Sequence, residues 1–168
     1  MFIGCAGGLD TTAVFNYKQE DFKEGYKPVR LEIGGALGGH SGDDINKGRA
    51  NTVQQMARFL YSEMAYGLQL VMLKGGNKPN AIARECEAII TVPDADATIA
   101  RLTSFGKDLR NEYFRTDPDL SFSGETYRCT EKPIQSDVAR RLIASLFACP
   151  HGVETMRPAC PGRVVTSR

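Results

Sequence analysis

Histidine is scarce in this chain: two residues in 168, His40 and His151, too few and too far apart to build a di-metal centre by themselves. The five cysteines, Cys5, Cys86, Cys129, Cys149 and Cys160, are odd in number and never form a CxxC pair. That argues against a disulfide framework and a cysteine-rich zinc site, and reads as reduced cytosolic thiols. Cys149, His151 and Cys160 lack a fourth donor for zinc. No apolar run approaches the roughly 20 residues of a membrane helix, and no charged leader followed by a hydrophobic stretch opens the chain, so neither a membrane partner nor export is expected. Neither sign of charge dominates: the net charge is +1 with both signs interspersed, which excludes the basic footprint of a nucleic-acid binder. A phosphate-binding GxxxxGK run is missing, and Asp43 to Gly48 lacks the acidic spacing and closing glutamate of a calcium loop. Internal repeats and low-complexity segments are absent too. So are polar tails at either end, which reads as a piece cut from a longer protein.

What is present is one domain's worth of chain organised around Gly34-Gly35-Ala36-Leu37-Gly38-Gly39-His40-Ser41-Gly42. Glycines permit positive φ and close backbone approach, so this turn can display His40 towards a ligand or a second subunit. Taken alone, the stretch reads more simply as a solvated loop that happens to contain a histidine. Upstream, Ala13 to Tyr17 suggests a short strand; Val29, Leu31 and Ile33 alternate with Arg30 and Glu32 as in a half-buried strand. A helix is expected from about Ala50, carrying Val53, Met56, Ala57, Leu60 and Met64 at helical spacing and stopping at Gly67. Leu68 to Leu73 is an apolar run of strand length, and Gly75 to Asn80 supplies a turn. Cys86, Ala88, Ile90 and Val92 then form a second strand, paired antiparallel with the first. Asp94 caps a helix carrying Ile99, Leu102, Phe105, Leu109 and Tyr113, which Asp117-Pro118 ends. Leu120 to Tyr127 reads as a strand with Phe122 inward, Ile134 to Ala148 as a third helix closed by Pro150, and Val153 to Met156 as a last short strand. The central order of strand, helix, strand, strand, helix, strand predicts an α+β, ferredoxin-like split βαβ sandwich, with helices on one face of an antiparallel sheet and an extra C-terminal helix. The other face must be solvated or covered by something else.

Three segments together resemble the aminoacyl-histidine dipeptidases of the di-zinc carnosinase and desuccinylase metallopeptidases. They are Ile3-Gly4-Cys5-Ala6-Gly7-Gly8; Leu37-Gly38-Gly39-His40-Ser41-Gly42 running on to Gly48-Arg49-Ala50-Asn51; and Gly75 to Glu85. Pro150-His151-Gly152-Val153 and Pro161 to Ser167 extend the likeness to the far end. The segment resembled is the inserted lid, or dimerisation, domain. The resemblance therefore implies that residues 1–168 form a single lid domain of a longer cytoplasmic, homodimeric peptidase. Its two zinc ions would be held by flanking catalytic halves, with none in this chain. It implies further that His40 is the lid histidine that hydrogen-bonds the scissile carbonyl as it becomes an oxyanion, and that Asn80 and Arg84 bind the backbone or terminal carboxylate of a dipeptide substrate such as β-alanyl-histidine. Asn80 also reads as a turn asparagine, Arg84 as an exposed strand arginine, and Asn51 as the cap of the helix that follows. Relatives usually carry proline after Asn-Ala-Ile where this chain has Ala83, which predicts a less rigid loop at Arg84. The alternative from another class is a stand-alone ferredoxin-like binding or dimerisation module without catalysis.

Overall fold

A computed structural model describes residues 7–156 and 164–167. In chain order the elements are β1 (Lys27–Gly34), β2 (Gly39–His40), α1 (Thr52–Glu63), β3 (Gln69–Gly75), β4 (Ala81–Ile82), β5 (Cys86–Val92), α2 (Ala95–Tyr113), β6 (Ser121–Thr126), α3 (Ser136–Ala148), β7 (Val153–Met156) and β8 (Val164–Ser167). Four strands form an antiparallel sheet in the order β3-β5-β1-β6, so the first strand lies inside it. Alternation decides which side chains it buries. Val29, Leu31 and Ile33 of β1 stand opposite Ile90, Ala88 and Cys86 of β5, and Leu70 of β3 stands opposite Ile90. These residues join Met56, Phe59 and Leu60 of α1, Leu102 of α2, and Val138 and Ile143 of α3 in one apolar core. All three helices therefore cover the same face, the expected α+β, ferredoxin-like layering with the additional C-terminal helix.

The expected caps are present. The Asn51 side chain accepts the N–H groups of Val53 and Gln54 at the start of α1, and Asp94 accepts that of Ala97 at the start of α2. The end of α1 tightens into a 3-10 turn over Met64–Tyr66, and Gly67 follows with φ +83°. Glu63, buried near the end of α1, receives both Nε and Nη2 of Arg101 at 2.7 Å and so ties α1 to α2.

Two expectations need correction. Ala13 to Tyr17 is not a strand; it runs as exposed coil with Val14 79% accessible and pairs with no strand of the main sheet. The β3 edge is taken by the segment before α3, where the Ile134 N–H donates to the Leu70 carbonyl at 2.7 Å and Gln19 bridges Ile134. Secondly, Val153 to Met156 is not the last strand, since it pairs with β8. The structure also adds a separate two-stranded ladder of β2 and β4 that the sequence reading did not anticipate. The face away from the helices is partly covered by the chain's own segment before β1: Gln69 of β3 donates to Glu20 and to the Asp21 carbonyl, and Glu20 accepts the N–H and hydroxyl of Ser136. The uncovered part carries Arg30 paired with Glu32, Glu87 and Glu125. Residues 1–6 and 157–163 of the resembling motifs lie outside the described residues.

Candidate functional site

The glycine turn becomes a site because β2 and β4 fasten it to a second loop. Gly39 stands opposite Ile82 and His40 opposite Ala81, and the Ser41 N–H donates to the Asn80 carbonyl at 3.0 Å. His40, Asn80 and Arg84 thereby line one open cleft of about 730 Å³, together with Leu37, Lys78 and Asp119 among others. A smaller cleft of about 420 Å³ on the open face of the sheet, around Arg30 and Ser121, shares Gly76, Asn77 and Glu85 with it.

His40 is exposed, but its ring is not free to choose a tautomer. Its Nδ1 accepts the Gly42 N–H at 2.9 Å, so in the neutral ring the proton sits on Nε2, which is left as a donor. The backbone at His40 is held as well. Its N–H donates to Asp44 Oδ2 at 2.7 Å, and its carbonyl accepts the Asp44 N–H at 2.9 Å. Asp44 in turn bonds Lys47 and lies 3.5 Å from Arg49, whose Nη1 donates to the Gly38 carbonyl at 2.5 Å. The Lys47 ammonium and the His40 N–H hold the Asp44 carboxyl below its ordinary range.

Arg84 is not a strand residue. It lies between β4 and β5 with its stem folded across Gly38: a Cβ on Gly38, whose φ is +61°, would stand 2.3 Å from Arg84 Cγ. Its Nε donates to the Ala36 carbonyl at 3.3 Å, and among the described residues its two terminal nitrogens have no partner. Beside it, the Ala83 carbonyl accepts the Thr52 N–H at 3.2 Å, so the first turn of α1 braces the loop at Ala83. Asn80 is an exposed turn residue at the mouth of the cleft.

Two residues that the sequence reading left out of the site prove to be built into its frame. Asp117, read only as the end of α2, is fully buried and accepts the N–H groups of Leu37 at 2.7 Å and Ala50 at 2.8 Å. His151, read only as one of too few donors for a metal, places Nδ1 3.3 Å from Asn51 Nδ2. Since Asn51 Oδ1 is committed to the helix, Nδ2 is the donor and the His151 ring accepts. Burial pushes the His151 imidazole below its ordinary value, consistent with that neutral, accepting ring. The one available signal for Asp117 was an acidic residue in a helix-ending turn, which has no local partner to reveal it. Among the described residues no group of three or more His, Cys, Asp or Glu could hold a metal ion.

Fold and cleft together define a class: an α+β lid-type domain that presents positioned donors around a cleft without a metal centre of its own in the described residues. Residues 31–117 match the family model described as peptidase dimerisation domain, and the chain belongs to that family. It is 29% identical over 170 residues to the cytosol non-specific dipeptidase of Escherichia coli (strain K12), covering 99% of this chain and 35% of that protein. The crystal structure of aminoacylhistidine dipeptidase from Vibrio alginolyticus superposes with a TM-score of 0.88 at 30% identity, covering 91% of this chain and 32% of that one. The chain thus spans about a third of the length of both relatives. No helix of the described residues is long and apolar enough to cross a membrane.

Proposed function

We propose that residues 1–168 act as the lid and dimerisation domain of a longer, cytoplasmic, metal-dependent dipeptidase that hydrolyses Xaa-His dipeptides such as β-alanyl-histidine. The observation that carries this reading is the convergence of three differently suited groups on one cleft: a histidine whose Nδ1 is occupied so that Nε2 is a donor, an arginine whose terminal nitrogens have no partner among the described residues, and an exposed asparagine. A donor aimed at a developing oxyanion stabilises the transition state more than the ground state, which is the role assigned to His40 Nε2. The planar fork of Arg84 suits a terminal carboxylate, and Asn80 suits the peptide backbone. The two zinc ions of the resemblance would belong to flanking catalytic halves; the described residues of this chain do not fit them.

Self-association is assigned to the free edge of β6. The β3 edge is closed by Ile134 and α3, whereas among the described residues β6 pairs only with β1. The Tyr127 N–H donates to the Pro28 carbonyl, so by alternation the N–H groups of Phe122, Gly124 and Thr126 point outward and can meet a second copy.

The test of the catalytic role is His40→Ala in the longer protein. The loss of an oxyanion donor should lower kcat by about 10²–10³ with KM little changed and the far-UV circular dichroism intact. A rate equal to the parent's removes His40 from the reaction and leaves a binding module.

A further inference from the structure

Asp117 lies in the turn after α2 and is fully buried, yet both of its carboxylate oxygens serve a different part of the chain. Oδ1 accepts the Leu37 N–H at 2.7 Å and Oδ2 the Ala50 N–H at 2.8 Å. Leu37 and Ala50 are the two ends of the excursion that carries His40 between β1 and α1. The Leu37 N–H belongs to the same peptide unit as the Ala36 carbonyl, and that carbonyl accepts Arg84 Nε at 3.3 Å. A buried carboxylate and a guanidinium therefore grip opposite sides of one peptide, with charge-assisted hydrogen bonds in a setting of low dielectric.

The residue type follows from the donors. An asparagine has one accepting oxygen and would turn its amide N–H groups against the second backbone N–H. Ending α2 requires no buried charge, and a carboxylate removed from water is costly unless its bonds are needed. Asp117 is itself immobilised: its N–H donates to the Tyr113 carbonyl at 2.8 Å, and its own carbonyl accepts the Leu120 N–H at 3.3 Å.

We propose that Asp117 is a positioning residue of the cleft, closing the ends of the His40 loop and, through the Ala36–Leu37 peptide, setting Arg84 in register with His40. The assignment rests on the reading of His40 and Arg84 as substrate groups, but its test does not. In the ¹⁵N-labelled chain, Asp117→Asn should accelerate hydrogen exchange of the Leu37 and Ala50 amides by about tenfold or more, while amides of the β1–β5 ladder keep their protection. The ring ¹⁵N shifts of His40 should move from the pattern of a single Nε2–H tautomer towards an averaged one, a change that a purely structural clamp at the end of α2 would not produce. Unchanged exchange at Leu37 and Ala50, or an unchanged His40 ring, overturns the proposal. Should that variant fail to fold, Arg84→Gln on the exposed side of the same peptide decides. It should speed exchange at Leu37 and leave Ala50 protected, and an effect on neither amide overturns the coupling. None of these signals depends on dipeptide hydrolysis, so failure of the peptidase reading would leave them in place.

Discussion

At the scale of the residue, Gly38 shows how closely the cleft is built. Its left-handed backbone brings the turn against the Arg84 stem, and a methyl group there meets both Arg84 Cγ at 2.3 Å and the Ile82 carbonyl at 2.9 Å. Gly38→Ala should cost about 1–2 kcal/mol for the backbone conformation alone, with a further loss from the displaced Arg84, measured by urea denaturation. A stability equal to the parent's would mean that the turn relaxes away from Arg84. This site was legible in part. His40, Asn80 and Arg84 stand in motifs that the sequence displays, and the structure brings all three to one cleft. The partners of Asp117 are 80 and 67 positions away along the chain, and no local pattern encodes such a bond. The two-residue strands β2 and β4 were invisible for a related reason, being too short to show an alternation.

At the scale of the element, the helices are joined by polar contacts as well as by their apolar faces. Glu63 is 2% accessible and depends on the fork of Arg101, which also stacks on Tyr66 with 4.1 Å from the guanidinium carbon to the ring centroid. Arg101→Ala leaves a buried carboxylate unpaired and should destabilise the chain by about 3 kcal/mol, read from the shift in denaturant midpoint. The start of α1 carries a second such contact, through Asn51 to His151. With its pKa depressed in the fold, His151 binds its proton more readily when the chain is unfolded. Stability should therefore rise with pH up to about the ordinary value of 6.5 and fall as pH drops below it. Glu20, held low by Ser136 and Gln69 against the opposing effect of burial, loses its contribution only in more acidic solution, below its ordinary 4.5. Melting temperatures between about pH 7 and pH 5 isolate the histidine, and His151→Gln should flatten that slope; an equal slope in the variant would assign it to another group. Of the elements, the helices and the core strands were readable because burial on one face imposes a period. Ala13 to Tyr17 has the composition of a strand, but a strand also needs a neighbour to pair with, and at the β3 edge that place is taken by Ile134 from the far end of the chain.

At the scale of the whole molecule, the family is one of dimerisation domains, and among the described residues the β6 edge, proposed above for self-association, pairs only with β1. Thr126→Pro removes an outward-facing N–H without touching the ladder to β1. Sedimentation velocity should show the parent chain self-associating and the variant monomeric; a variant that still associates would move the contact to the helical layer. The alternation of β1 and β5 and the periodicity of α1 and α2 were enough to read the layering, since both follow from a single buried face. The strand order was readable only through the likeness of the element succession to a known arrangement, because each pairing of β1 is long-range.

That placement of β1 has a consequence for how the chain reaches its fold. Leu31 meets Ala88 on one side and Gly124 on the other, so the strand at the centre of the sheet is earliest in sequence and cannot be completed until most of the domain exists. Within this sheet only β3 and β5 are joined by a short connection, and loop-closure entropy favours them as its first pair. The loop bearing His40 leaves the end of β1 and is closed by a carboxylate from beyond α2, so it acquires its shape among the last events of folding, when the chain that must close it has arrived.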